Sequence, residues 1–473
     1  MEKLEQLKKK GVNPYPSSCG REEKIAQAQD MLGDEVSVAG RIMAWRGHGK
    51  IKFTDLKDES GSMQIVFKAG EISAEEFEDL ELLDVGDFLE VDGEVFETRT
   101  GEVSVLVKKY RLLSKSLRPL PDKWHGLKDV EARYRKRYLD FLFNPDAKEK
   151  ILTRTKVIKA MREYLDQNGF IEVETPILET TASGALAKPF KTHIDAYDLD
   201  IFLRICMGEL WQKMLMVAGF GRTYELGRAF RNEGVSKEHN PEFTMMEYYM
   251  GYADFEDNMA FQEQLVAYVV KQATGDYEIE YQGRKINFEP PFPRKKFYEI
   301  IEEKTGVKVG EISHKELIKT AEEKGMEVED EWGHTKLIDE FYKEFVRPDL
   351  TGPLFLTHHP VDLKPLAKID PDNPALTESF QLLVAGFEIS NNYSELNDPL
   401  IQARNFAEQK KMKDAGDEEA MAEDHEFVKA LEYGMPPTSG TGIGIDRLVA
   451  LITDSHSLRE VMAFPLMKPK EEE

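Results

Sequence analysis

"FRNEGVSKEHNPEFTMMEYY" (residues 230–249) sets Arg231, Lys237 and His239 among four glutamates, between two apolar flanks. Alternation in the flanks predicts two strands joined by the polar loop "GVSKEHNPE". Arg231 and Glu233 share parity on the first strand, and Phe243, Glu247 and Tyr249 share it on the second, so each set is expected on one face of a sheet. The apolar neighbours Met245, Met246 and Tyr248, drawn from both parities, point to a sheet buried on both faces. Acids in a sheet covered on both faces are costly unless a cation meets them, which points to a positively charged ligand. An exposed, salt-bridged hairpin is the alternative, and the apolar neighbours disfavour it.

Three further stretches extend this reading. "FEISNNYSEL" (387–396) places Asn391, Tyr393 and Glu395 on one parity, and with Glu247 and Tyr249 they form a set suited to a primary ammonium on an apolar stem. Glu388 has the opposite parity and reaches the same face only if the strand bulges. "SGTGIGIDRLVALI" (439–452) predicts a strand of alternating glycines and then a helix with Asp446 as its N-cap and Arg447 in its first turn. A flat ring can approach a backbone without side chains, and an arginine can stack on that ring or reach phosphate. Upstream, an amphipathic helix from about Lys148, with Ile151, Ile158, Met161 and Leu165 apolar, is expected to stop at Asn168 and Gly169. "FIEVETPIL" (170–178) then reads as a strand ended by Pro176, and the pair suits a core or a subunit interface.

The chain is 473 residues long, which predicts two or three domains. After a lysine-rich N-terminal helical extension (1–35), residues 36–113 read as five short strands with a helix after the third, the pattern of an OB-type barrel. Residues 114–128, with "SLRPLPDKWHG", read as a linker. Residues 129–473 mix helices and strands as an α+β domain on an antiparallel sheet, with an acidic helical insertion at about 297–347. "YEIEYQGRKINF" within it is expected to be a hairpin turning at Gln282 and Gly283. The net charge of −25 argues against a polyanion partner at long range, while clusters such as Lys108, Lys109 and Arg111 leave local basic surface. Cys19 and Cys206 form no metal or disulfide pattern, and with no apolar run of membrane length a soluble cytoplasmic protein is expected.

"GFIEVETP", "YELGRAFRNEG…HNPEFTMMEYYM" and "GTGIGIDRL" resemble the three motifs of class II aminoacyl-tRNA synthetases. With "RPLPDKWHGL", "SGALAKPF", "YSELNDP" and "ALEYGMPPTSGTGIGIDR", the whole chain is most similar to the class II lysyl-tRNA synthetase family. The resemblance implies a class II catalytic domain, an N-terminal OB-fold that binds the anticodon of tRNA(Lys), a homodimer, and ATP with Mg²⁺. Carried over by position, it makes Arg231 the clamp on the α-carboxylate and α-phosphate, and Phe243 and Arg447 the two sides of the adenine. Glu233, His239, Asn240, Glu388 and Gly444 would line the ATP site, with Arg231, Arg447 and Glu388 carrying catalysis. Gly184, Glu209 and Asn391 would hold the amino-acid backbone groups. Glu247, Tyr249 and Glu395 would read the ε-ammonium, with Tyr393 along the stem, and Phe53, Gln64 and Glu102 would contact the anticodon.

Two departures stand out. Gln381 lies where the family usually has a second metal-binding glutamate, so the expected metal ligands are Glu388 and the Gln381 amide oxygen. "RICMGEL" carries one more residue ahead of Glu209 than the common form. A ligase with a protein acceptor and a non-catalytic RNA-binding relative are the rival readings. The barrel disfavours the first, and Arg231, Glu388 and Arg447 disfavour the second.

Overall fold

A computed structural model describes residues 1–47, 49–121, 127–181, 184–329, 332–414, 416 and 420–470. Residues 122–126 of the expected linker, 330–331 of the expected insertion and Ser183 of "SGALAKPF" lie outside the described residues. The chain divides into two compact units, Met1–Gly126 and Leu127–Glu473.

In the first unit, β1 (Glu35–Arg46), β2 (Ile51–Lys57), β3 (Ser62–Lys68), β4 (Phe88–Glu97) and β5 (Val103–Ser114) close into a barrel in the order β1-β2-β3-β5-β4. A short helix, Ala74–Asp79, follows β3, started by a Ser73–Glu76 capping box. Val38, Ile42, Leu56, Ile65, Phe67, Val91 and Val105 fill the interior. Phe53 is half-buried and is not among these core residues. Gln64 donates to Glu102 at 2.8 Å and accepts from Ser104 at 3.1 Å. Phe53 pairs across from Val66, and Asp55 from Gln64, so Phe53 and Gln64 share one barrel face.

An eight-stranded sheet forms the second unit. Its strands are β6 (Ile171–Glu172), β7 (Arg222–Phe230), β8 (Glu242–Gly251), β9 (Arg294–Lys296), β10 (Leu354–Thr357), β11 (Ser379–Val384), β12 (Phe387–Ser394) and β13 (Thr438–Gly444). The order is β9-β10-β11-β12-β13-β8-β7-β6, antiparallel except for the two edge pairs. Helix α1 (Pro145–Gln167) starts with proline at its N-terminus and ends at Asn168 before Gly169, whose φ is +77°. Helix α2 (Glu209–Val217) precedes β7, and α3 (Phe255–Thr274) opens on an Asp254–Asp257 capping box. The 278–287 hairpin turns at Gln282 and Gly283, both with positive φ, as a two-residue turn requires. Helices Phe297–Thr305, His314–Glu323 and His334–Phe345 build their own apolar cluster around Phe297, Leu317 and Phe341.

Three local expectations change. β7 ends at Phe230, so Arg231 and Glu233 lie in the connecting loop and reach their site through it, not by strand parity. The loop leaves the ladder after one more bond, from Arg231 N–H to the Pro241 carbonyl, because Pro241 has no N–H to return. "FIEVETPIL" is not one strand: only Ile171–Glu172 and Leu178–Glu179 pair, on either side of Pro176. Asp446 is not the N-cap of the last helix, α4 (Ile445–Ile452); Gly444 is. Asp446 instead accepts from the Thr244 N–H at 3.0 Å and pairs with Arg154 at 2.6 Å, tying α4 to β8 and α1. No helix of the described residues is long and apolar enough to cross a membrane.

Candidate active site

The period of two sorts each central strand into two faces. Tyr248 and Asn392 point to α3, where Tyr248 donates to Asn258 at 2.6 Å and Gln262 donates to Asn392 at 3.1 Å. Their neighbours Glu247, Tyr249, Asn391 and Tyr393 point the other way, into a cavity of about 300 Å³. β12 bulges at its pairing with β11, where Leu382 opposes Ser390 but Leu383 opposes Glu388. The extra residue reverses the parity of Glu388 and brings it onto the cavity wall.

Arg231, Glu233, His239, Asn240, Phe243, Glu388, Gly444 and Arg447 line this cavity together with Gly184, Glu209, Glu247, Tyr249, Asn391, Tyr393 and Glu395. The structure thus gathers residues from six segments spanning 184 to 447. Gln381 is the exception, and the expectation of a metal-facing amide oxygen is corrected here. It faces the side of Asn391 in the β11–β12 register but is absent from the cavity wall, and its Oε1 meets His359 Nε2 at 3.2 Å. Burial holds His359 well below the ordinary histidine range, so the ring is neutral and spends its N–H on this amide.

Glycines make the slot. Gly442 lies opposite both Glu247 and Asn391, and Gly440 opposite both Tyr249 and Tyr393. A Cβ on Gly440 would run into Glu395 Oε1 and the Tyr249 ring, so the position is bare for close approach and not for backbone conformation. Gly440→Ala is expected to displace Glu395 and cost about 1–3 kcal/mol of overpacking, seen as a roughly ten- to hundredfold weaker affinity for the cationic ligand by calorimetry. ATP affinity should stay unchanged.

At the Gly440 end Glu209, Glu247 and Glu395 are all buried. The sequence reading left these acids without a cation of the chain, and here the structure corrects it. Lys213, also buried, pairs with Glu395 at 2.6 Å and with Glu209 at 2.8 Å. Its signal was a Glu–Lys spacing of four on α2, which reads from sequence as an ordinary surface pair. Glu247 has no cation partner among the described residues; it accepts from the Met207 N–H at 3.0 Å and the Tyr249 hydroxyl at 3.2 Å. Gly208, left-handed at φ +64°, turns the loop so that Met207 presents this N–H while Glu209 begins α2. Tyr393 donates its hydroxyl to Glu209.

The cluster therefore holds three carboxylates and one ammonium, which pairs with two of them. Burial pushes Glu247 above the ordinary carboxylate range, with Glu209's charge adding to it. Burial also raises Glu395, against the pull of Lys213. Lys213 itself is raised, because Glu209 and Glu395 outweigh the opposing effect of its burial. The empty cluster accordingly retains a proton at neutral pH, and a bound ammonium would expel it. The empty protein then binds more protons than the complex, so affinity for a cationic ligand rises with pH, by up to about tenfold per unit between roughly pH 6 and 8. Calorimetry in buffers of different ionisation enthalpy should show proton release, and ATP binding should not share that slope.

At the Gly444 end the groups are cationic. Arg231 lies 5.2 Å over the Phe243 ring and donates to the Ile205 carbonyl at 3.2 Å. Arg447 donates to the Glu388 carbonyl at 2.9 Å and meets His239 Nε2 at 3.4 Å. Burial and the Arg447 charge lower His239 below the ordinary histidine value, leaving a neutral ring beside the arginine. Such a cavity takes an ammonium at one end and an anion next to an aromatic face at the other.

An antiparallel sheet carrying this cavity, with a glycine strand leading into an arginine-bearing helix, defines an amino-acid-activating enzyme of class II. The chain belongs to the tRNA synthetases of class II (D, K and N), whose family model matches residues 129–468, while the OB-fold nucleic acid binding domain model matches residues 36–113. Within that class, full-length relatives include lysine–tRNA ligases. The one from Pelotomaculum thermopropionicum is 46% identical, covering 99% of this chain and 94% of its own. Those of Dehalococcoides mccartyi and Carboxydothermus hydrogenoformans are 46% and 45% identical, each covering 100% of this chain and 97% of its own.

Proposed function

We infer that the chain joins L-lysine to tRNA(Lys) at the expense of ATP, through a lysyl-adenylate. The observation that carries this is the opposed charge along one cavity, with Glu209, Glu247 and Glu395 at the Gly440 end and Arg231 and Arg447 at the Gly444 end. Glu247, Tyr249 and Glu395 read the ε-ammonium of lysine, and Tyr393 lies along its stem. Gly184, Glu209 and Asn391 hold the α-amino and α-carboxylate groups. Phe243 and Arg447 sandwich the adenine, with Glu233, His239, Asn240 and Gly444 around the nucleotide.

Lysine's carboxylate is already ionised at neutral pH, so its attack on the α-phosphorus needs no base. An oxygen–phosphorus bond forms as the bond to pyrophosphate breaks. Catalysis is then orientation and neutralisation of charge, supplied by Arg231 and Arg447. A terminal ribose hydroxyl of tRNA next attacks the carbonyl, and AMP leaves. Mg²⁺ fits Glu388, a carboxylate on the cavity wall with no ion pair among the described residues. When bound, it would neutralise phosphate charge.

In the barrel, Phe53, Gln64 and Glu102 would receive anticodon bases, the ring by stacking and the polar pair by hydrogen bonds. A homodimer is supported by apolar surface around β6: Ile171, Ile177 and Leu178 are about half exposed. A role in protein synthesis would place the chain in the cytoplasm.

Lysine-dependent exchange of pyrophosphate into ATP, followed by charging of total tRNA, tests the reading. Both activities are expected. Exchange without charging would favour a different acceptor, and no exchange would overturn the proposal.

A further inference from the structure

Three lysines are buried among the described residues: Lys115, Lys213 and Lys364. Lys115 is paired with Asp84 and Asp87, and Lys213 with Glu209 and Glu395. Lys364 has no carboxylate of the described residues within ion-pair distance. It follows the short turn Val361–Leu363 and lies on the wall of the substrate cavity, where its ammonium donates to Asn391 Oδ1. Glu388, Asp339 and Glu209 attract it from a distance, while burial opposes its charge.

A buried ammonium without a counter-ion costs several kcal/mol, and a fold that keeps one gains nothing in stability from it. An ammonium can only donate, so Asn391 must turn its oxygen to Lys364, which leaves the amide Nδ2–H₂ free for an acceptor. Two sets of donors thus meet on one stretch of the cavity wall, where Glu388 and Glu209 act on the ammonium only from beyond ion-pair distance.

We propose that Lys364 is a further substrate-binding residue of this reaction, its ammonium taking an oxyanion at the junction of the two substrates and aiming Asn391 at the same group. The proposal rests on the reaction assigned above, which brings two oxyanions to this cavity: the carboxylate of lysine and the phosphates of ATP. Charge-assisted contact with either restores the pairing that the empty protein lacks.

Lys364→Met and Lys364→Arg in the full chain test it, with calorimetric affinities for L-lysine, L-lysinamide and ATP, pyrophosphate exchange, and thermal unfolding of the empty protein. Lys364→Met is expected to weaken an oxyanion ligand by about ten- to hundredfold and to reduce exchange, while the unfolding midpoint stays level or rises. Lys364→Arg should recover part of the loss. Weakened L-lysine with unaltered L-lysinamide would identify the carboxylate as the partner; weakened ATP with unaltered L-lysine would identify the phosphates. Unchanged affinities for both, or a fall in midpoint with equal losses for all three ligands, would overturn the proposal. Absence of lysine-dependent exchange in the unsubstituted protein would instead sink the assigned reaction, and the binding data would still decide the role of Lys364.

Discussion

Replacing Arg231 with alanine is expected to lower lysine-dependent pyrophosphate exchange by about a hundred- to a thousandfold, the scale of losing a preorganised donor at a developing charge. The Arg231 guanidinium is pre-aimed: the Ile205 carbonyl holds its Nε, and the Phe243 ring lies beneath it. Lysine in its place should restore little, since an ammonium lacks the planar fork that can span a carboxylate and a phosphate together. Folding should be unaffected, because the side chain is only half-buried and lies in a loop. The unfolding midpoint and the single-turnover transfer from preformed lysyl-adenylate to tRNA are the controls. If exchange falls by less than about tenfold, Arg231 does not meet charge in the transition state.

Glu247→Gln should lower kcat/KM for lysine by about a hundred- to a thousandfold, the cost of leaving a buried ligand ammonium without its carboxylate. Glutamine keeps an oxygen for the Met207 N–H, so the loop geometry survives. KM for ATP should change little. Because Glu247 is raised by burial and by Glu209, removing its charge relieves the empty protein, and the unfolding midpoint should rise as pH increases through the neutral range relative to the unsubstituted chain. The folded protein binds the extra proton, so stability of the unsubstituted chain declines over that range and the variant escapes the decline. A loss of lysine and ATP affinity in equal measure would make Glu247 a structural residue instead.

The opposed functional and stability effects at Glu247 and Lys364 have one origin. Both are charges taken out of water before their partners arrive, so stability is held below what an apolar site would give.

Much of the site was legible because strand parity is a local property. Phe243, Glu247 and Tyr249 share a face by spacing alone, as do Asn391, Tyr393 and Glu395, and both sets line the cavity. The alternating glycines were legible as a pattern but not as a slot, since Gly440 and Gly442 matter only through the side chains paired opposite them on β8 and β12. Glu388 needed a bulge that no sequence rule locates. Lys213, four residues after Glu209, has the spacing of an ordinary surface pair, and Lys364 follows a short turn with no periodicity to mark it.

By itself, then, the order of residues determined the barrel, most strands of the catalytic sheet and the two sets of side chains that share a face on β8 and β12, because alternation and turn chemistry act between near neighbours. Tertiary structure alone decided which polar groups are already matched within the chain: Lys213 beside Glu209 and Glu395, His359 hydrogen-bonded to Gln381, and Lys364 with no carboxylate of the described residues at ion-pair distance. The reason is physical. Burial and ion pairing depend on distances between segments far apart in sequence, and a charge acquires its meaning only when the surrounding water has been removed.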